Sequence, residues 1–284
     1  MTGLLIRGLR EAAERLLSDQ DWHAPPLGEV RELSAPGPGG PLRARLYAPV
    51  NAPASGPALL YFHGGGFVCG SIDTHDSVCR WLAASSGVRF ISCGYRLAPE
   101  TAFPGQQADA LAAARWVREQ GEQLGVDPER LALGGDSAGA YLAALTALTL
   151  NAERPGSVPL QLLLYPLLHL EDAVWREEVL RHFRVIGRVA AQSIRREIGD
   201  APFPSLLDAP LDHAPPTLLA GGGPLDPVRA DVEAYGRRLA GAGRLVFERT
   251  WPALVHGGLN LTHLSKGAVG ALTEVGTLLG KEMR

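Results

Sequence analysis

The chain has 284 residues, 46% of them hydrophobic, which is enough for one sizeable domain with a sealed core. Its 27 basic and 30 acidic residues leave a formal net charge of −3. No long run of one sign appears, so neither nucleic acid nor an anionic membrane surface is suggested as a partner. The three cysteines, Cys69, Cys79 and Cys93, form no Cys-x-x-Cys pair; they fit free thiols in a reducing cytoplasm better than a disulfide framework or a zinc site.

In chain order, residues 3–18 are expected to form an amphipathic helix. Leu4, Leu5, Leu9, Ala12, Ala13, Leu16 and Leu17 share its apolar face, opposite Arg7, Arg10, Glu11, Glu14 and Arg15. The acidic residues in this stretch and its missing small-residue cleavage site argue against a signal peptide. No segment approaches an uninterrupted apolar run long enough to span a bilayer. A cytoplasmic protein without a membrane span is the expectation.

Residues 28–33 and 42–47 read as strands around the turn Ala35-Pro36-Gly37-Pro38-Gly39-Gly40-Pro41, with antiparallel pairing plausible. From Ala58 onward strands and helices alternate. Strands are expected at 58–63, 88–93, 130–133, 160–165, 216–220 and 244–248. Helices are expected at 74–86, 105–122, from 138 to about 150, at 229–240 and at about 261–279. This alternation implies a mostly parallel central sheet with helices on both faces, and catalytic groups on loops at the carboxyl ends of strands. Residues 171–200 interrupt the pattern with charges at helical spacing. Together with residues 1–20 they are expected to form a helical cap on a single domain of 1–284.

Leu131-Ala132-Leu133 runs into Gly134-Gly135-Asp136-Ser137-Ala138-Gly139, a strand, a sharp turn and an alanine-rich helix. Gly135-x-Ser137-x-Gly139 is the pattern of a nucleophile held on a strained turn, with glycines where side chains would collide with neighbouring backbone. The following helix aims its first N–H groups at a developing anion. The alternative is an ordinary turn with Ser137 as a helix N-cap.

A serine nucleophile needs a base, and the base an orienting acid, here in the chain order serine, acid, histidine. Asp226, in Gly223-Pro224-Leu225-Asp226-Pro227, and His256, in Leu254-Val255-His256-Gly257-Gly258, both follow strands in that order. Asp231 is the rival acid. His169, His182 and His213 precede Asp226, and His263 falls in the helix expected from 261. His63-Gly64-Gly65-Gly66-Phe67 follows a strand and leaves backbone N–H groups open, as an oxyanion loop would. No Gly-Lys-Ser/Thr ending makes it a nucleotide loop. His63 is expected to brace the loop.

From about Pro57 to Leu279 the chain resembles the hormone-sensitive-lipase group of the α/β-hydrolases. The resemblance rests on those two motifs, on Tyr95-Arg96-Leu97-Ala98-Pro99-Glu100 with Phe103-Pro104 and Asp109, and on Asp226-Pro227-Val228-Arg229-Ala230-Asp231. It implies Ser137 as nucleophile, His256 as base and Asp226 as orienter. It also implies an oxyanion hole from the N–H groups of Gly65, Gly66 and Ala138, and an N-terminal cap. Gly258 stands where the group usually has an aromatic, and Ala140 where a further glycine is common. The expected activity is a serine carboxylesterase acting on small esters of short to medium acyl chains, without cofactor or metal. An amidase or deacetylase on the same triad, a non-catalytic small-molecule receptor on the same fold, and a homodimer in place of a monomer remain open.

Overall fold

The computed structural model describes residues 3–17, 24–170, 194–199 and 202–284. Eight strands form one sheet among them: β1 (Glu29–Ala35), β2 (Leu42–Ala48), β3 (Gly56–Phe62), β4 (Arg89–Cys93), β5 (Val126–Asp136), β6 (Gln161–Leu164), β7 (Thr217–Gly221) and β8 (Leu245–Thr250). Their spatial order is β1-β2-β4-β3-β5-β6-β7-β8. β2 pairs antiparallel with β1 and with β4, and every other neighbour pair is parallel. The sheet is therefore mostly parallel, as the alternation implied. β3 is almost wholly buried, which explains why it reads as an apolar run, and β4 beside it is buried along its length.

The helices are α1 (Gly3–Leu17), α2 (Asp76–Ser86), α3 (Gly105–Glu119), α4 (Gly121–Leu124), α5 (Ala138–Glu153), α6 (Arg229–Gly241) and α7 (Lys266–Glu282), with a further helical turn at 194–198. Among the described residues no helix is long and apolar enough to cross a membrane. α2 packs against α7 and α3 against α5. α5 is rich in alanine and leucine and buried nearly all round, so it has no polar face to show. It ends where Arg154 takes an extended conformation ahead of Pro155.

Two expected boundaries are corrected. The last helix starts at Lys266, not 261, because Ser265 caps it by accepting from the Ala268 N–H at 3.2 Å. Ahead of it Thr262 hydrogen-bonds Ser77, and His263 lies in an exposed turn rather than in a helix. β5 runs on through Gly134 and Gly135 to Asp136. The two glycines are held extended by pairing with Tyr61 and Phe62 on one side and Leu162 and Leu163 on the other.

The docking face of α1 is corrected at Ala12 and Leu16, while the side chains of Leu4, Leu5 and Leu9 lie outside the described residues. Ile6 is buried and Arg10, Ala13, Glu14 and Leu17 are half-buried, whereas Ala12 is exposed and Leu16 keeps 69% of its surface. Arg10 sets this rotation. Its guanidinium donates to the carbonyls of Val68 and Ala98, both at 2.7 Å, and to Glu100 at 2.7 and 2.8 Å. Its methylene stem can cover apolar surface while the head is bound. Of the expected cap, residues 1–2, 18–20, 171–193 and 200 lie outside the described residues.

β3 and α5 approach each other closely. A Cβ on Gly139 would stand 1.9 Å from the Phe62 carbonyl oxygen, and one on Gly135 would stand 2.4 Å from the same atom. No side chain relieves either clash, because the obstacle is backbone. Gly139→Ala should therefore cost about 3 kcal/mol or more of stability, at the upper end for overpacking. Urea denaturation checks it: the midpoint should fall at constant slope, and an unchanged midpoint would refute the argument.

Candidate active site

Ser137 sits between β5 and α5 at φ 50° and ψ −117°, a positive-φ conformation unusual for a residue with a Cβ. Its N–H donates to Leu164 O of β6 at 2.9 Å, and its carbonyl accepts from Tyr141 and Leu167 N–H at 3.1 Å each. The turn is thus pinned by its backbone, and the hydroxyl makes no capping bond to α5. That removes the alternative in which Ser137 is merely an N-cap. The side chain points instead to His256, with Oγ 2.9 Å from Nε2.

His256 lies in the loop after β8. Its Nδ1 is 3.0 Å from Asp226 Oδ1, which also accepts the Val228 N–H at 3.0 Å. Asp226 follows β7 and its carboxylate is buried, while His256 keeps 29% of its side chain exposed, so the relay runs from the interior to an open edge. Burial disfavours the charged imidazole. The hydrogen bond and charge of Asp226, with Asp136 adding, outweigh it and raise the His256 pKa above the usual histidine value. The Tyr165 ring, 5.0 Å away by centroid, packs on the imidazole. At Gly258, where the aromatic is missing, a Cβ would stand 3.0 Å from Leu254, so Leu254 and Val255 line that space.

The glycine loop turns back on itself after β3. Gly65 O accepts the Val68 and Cys69 N–H groups at 3.1 and 3.0 Å, and Gly64 O contacts His63 Nδ1 at 2.8 Å. In a trans peptide the N–H opposes its carbonyl, so these three contacts turn the Gly65 and Gly66 N–H groups the other way. Gly65 needs its φ of 115°, and a Cβ there would meet Cys69 O at 2.1 Å. Ala138 is the first residue of α5, where an N–H has no partner within its own helix. His63 is fully buried, stacked on Tyr95 at 4.4 Å. Burial, with His75 nearby, lowers its pKa to about 4, so it is a neutral brace rather than a charged group.

A layer beneath the loop was not anticipated from the sequence. The Asp136 carboxylate accepts from Gly64 N–H at 2.8 Å and from Tyr61 OH at 2.9 Å, and lies 3.2–3.3 Å from His75 Nε2. Asn260 Nδ2 reaches the same His75 nitrogen at 3.1 Å. Burial opposes ionisation of Asp136, but His75 and these donors outweigh it and hold its pKa below the usual value. A carboxylate at the end of an apolar strand was the available signal, since a buried charge must find partners.

The rivals go elsewhere. Asp231 lies 3.3 Å from His169, so the rival acid and a rival base pair with each other. His213 and His263 are exposed, and His182 lies outside the described residues. Toward the open edge, Ile194 stands over Gly66, where a Cβ would meet it at 2.7 Å. The Phe203 ring stacks on Tyr141 at 4.2 Å and lies 5.6 Å from Phe67.

Comparison with known proteins agrees with this fold. A family model described as the alpha/beta hydrolase fold matches residues 59–260. The chain is 37% identical over 286 aligned residues to Esterase LipI of Mycobacterium tuberculosis, covering 94% of this chain and 85% of that protein. It is 38% identical over 231 residues to an ethyl acetate hydrolase of Pseudomonas putida, covering 77% of this chain and 71% of that one. A solved Pyrobaculum calidifontis esterase superposes with a TM-score of 0.88 at 33% identity, over 97% of this chain and 92% of that one. The chain belongs to the hormone-sensitive-lipase group of the α/β-hydrolase family, a carboxylesterase-type group of hydrolases.

Proposed function

We propose that the protein hydrolyses carboxylic esters of short to medium acyl chains through an acyl-enzyme formed on Ser137. The observation that carries this reading is the Ser137–His256–Asp226 relay, with contacts of 2.9 and 3.0 Å around an uncapped serine at positive φ. Ser137 Oγ attacks the ester carbonyl while His256 Nε2 takes its proton. Asp226 accepts from Nδ1–H, which selects the tautomer with Nε2 free and stabilises the imidazolium. The oxyanion is held by the N–H groups of Gly65, Gly66 and Ala138. On collapse His256 returns the proton to the leaving alcohol. A water then gives a proton to His256 and attacks the acyl-serine; His256 returns that proton to Ser137 Oγ as the carboxylic acid leaves. The intact histidine argues for catalysis over a receptor role.

Ser137→Ala and His256→Ala should each lower kcat by about a millionfold, and Asp226→Asn by about 10⁴, with unchanged circular dichroism. Aryl-ester turnover checks all three. Retention of most activity in His256→Ala, or greater damage from Asp231→Asn than from Asp226→Asn, would overturn the assignment.

The base must be neutral. Because the folded environment raises the His256 pKa, kcat/KM should rise with pH through a midpoint above the ordinary histidine value of about 6.5. The residual activity of Asp226→Asn should show a lower midpoint, because the group that raises the pKa has been neutralised. A wild-type midpoint below that ordinary value would contradict the assignment.

α1, held by Arg10, and the segment around Ile194 are read as a roof over the site. A roof limits the acyl chain and excludes water from the oxyanion. Wild-type protein should prefer aryl esters of short to medium chain over long-chain triglyceride emulsions. Arg10→Ala should lower kcat/KM and flatten the chain-length profile. An unaltered profile in Arg10→Ala would remove α1 from the specificity argument.

A further inference from the structure

Among the described residues His75 is a buried group that touches all three working loops, and the relay described above does not use it. Its side chain is 3% exposed. Nε2 lies 3.1 Å from Asn260 Nδ2, 3.2–3.3 Å from the Asp136 carboxylate and 3.3 Å from Gly64 N. Nδ1 is held on the other side by Thr74 Oγ1 at 2.9 Å and Ser71 O at 3.3 Å, so the ring cannot turn without losing partners. Asp136 immediately precedes Ser137, Gly64 precedes Gly65, and Asn260 follows His256 by four residues.

Local helix chemistry does not account for a histidine here. His75 occupies the N-cap of α2 but makes no capping bond, and histidine is not among the favoured caps. Its ring is turned away from the helix it precedes and into the layer under the oxyanion loop. There, Asp136 fixes the Gly64 N–H and His63 fixes the Gly64 carbonyl. Gly64 is thereby held on both sides, its 63–64 peptide by Asp136 and its 64–65 peptide, which carries the Gly65 N–H, by His63; His75 holds the carboxylate of that clamp.

We propose that His75 is a positioning residue: with Nε2–H donated to the Asp136 carboxylate and the Asn260 amide packed against the same ring edge, it holds the Gly65 N–H in register with Ser137 and His256. The proposal rests on the esterase reading above. It makes no claim that His75 contacts substrate. The consequence is specific to the oxyanion, because a displaced donor weakens the bond to the developing charge far more than it weakens ground-state binding.

The test compares ester and thionoester substrates that differ only in carbonyl oxygen or sulfur. Sulfur accepts hydrogen bonds poorly, so the oxygen-over-sulfur ratio of kcat/KM reports how well the donors are placed. Wild type and Ser137→Ala are measured first; no turnover by wild type, or equal turnover by both, would sink the esterase reading itself. His75→Ala, His75→Gln and Asn260→Ala are then assayed, with rates taken per site titrated by a phosphonate so that unfolded protein does not count. In His75→Ala, kcat per site should fall by about 10-fold or more with KM within about twofold, and the oxygen-over-sulfur ratio should fall with it. Asn260→Ala should move the ratio in the same direction by less. His75→Gln, which can place an amide nitrogen near the Nε2 position, should recover part of both. A purely structural role predicts fewer titratable sites with an unchanged ratio. That result in His75→Gln and Asn260→Ala would overturn the proposal even where His75→Ala fails to fold.

Discussion

The close passage of the α5 N-terminus over the end of β3 is the constraint on which the rest depends. With the Phe62 carbonyl 1.9 Å from where a Gly139 Cβ would stand, the chain can turn from β5 into α5 only through glycines. That closeness forces Ser137 to positive φ, lifts its hydroxyl clear of the helix and leaves the first N–H groups of α5 beside it. It also sets β3 and β5 as neighbours, so the loops leaving their carboxyl ends, His63–Phe67 and Ser137, must meet. β7 and β8 deliver Asp226 and His256 to the same edge, the place where parallel sheets put their ligands.

Around that edge the interior sorts its ionisable groups by partner. Asp136, Asp226 and Asp109 are all buried, and each is answered by a donor set. Asp136 has Gly64 N–H, Tyr61 and His75; Asp226 has Val228 N–H and His256; Asp109 receives Arg96 through its backbone N–H, Nε and Nη2 at 2.6–3.1 Å. The two imidazoles nearest the chemistry are driven in opposite directions. His63 is buried without a carboxylate of its own and is lowered to about 4, whereas His256, bonded to Asp226, is raised. One is thereby suited to hold a loop at any ordinary pH and the other to trade protons near neutrality.

Above the sheet edge the described pieces converge on the oxyanion loop from outside. Arg10 ties α1 to Val68, one residue past Phe67, and to Ala98 and Glu100; the Ala98 N–H in turn donates to Phe67 O at 2.8 Å. Phe203 joins Phe67, Phe103 and Tyr141 in a cluster in which Phe67 meets the other rings edge to face while Phe203 stacks on Tyr141, and the Tyr141 hydroxyl donates to Pro204 O at 2.8 Å. Aromatic pairs of this kind are worth about 0.5–1.5 kcal/mol each beyond burial. The glycine loop is therefore held by a salt link, an aromatic cluster and the buried Asp136 layer in addition to the two bonds its Gly65 carbonyl accepts.

By itself the sequence determined the parallel sheet, through the strand–helix alternation from Ala58, and the order serine, acid, histidine along it. Steric need made Gly135 and Gly139 legible around Ser137, and post-strand position made Asp226 and His256 legible. The chemistry beneath the loop was not legible. His75 read as the start of a helix, Asp136 as the variable residue of a motif, and Asn260, one residue ahead of the helix wrongly begun at 261, carried no reading at all. Arg10 read as a solvated charge, yet it sets the face on which α1 docks. Periodicity sorts residues by polarity along one element. Which distant carbonyl or carboxylate a polar side chain will meet is decided only when the loops of separate strands are brought to the same edge. Tertiary structure alone paired Asp231 with His169 and left Asp226 to His256, because that choice depends on distances between elements that no local pattern records.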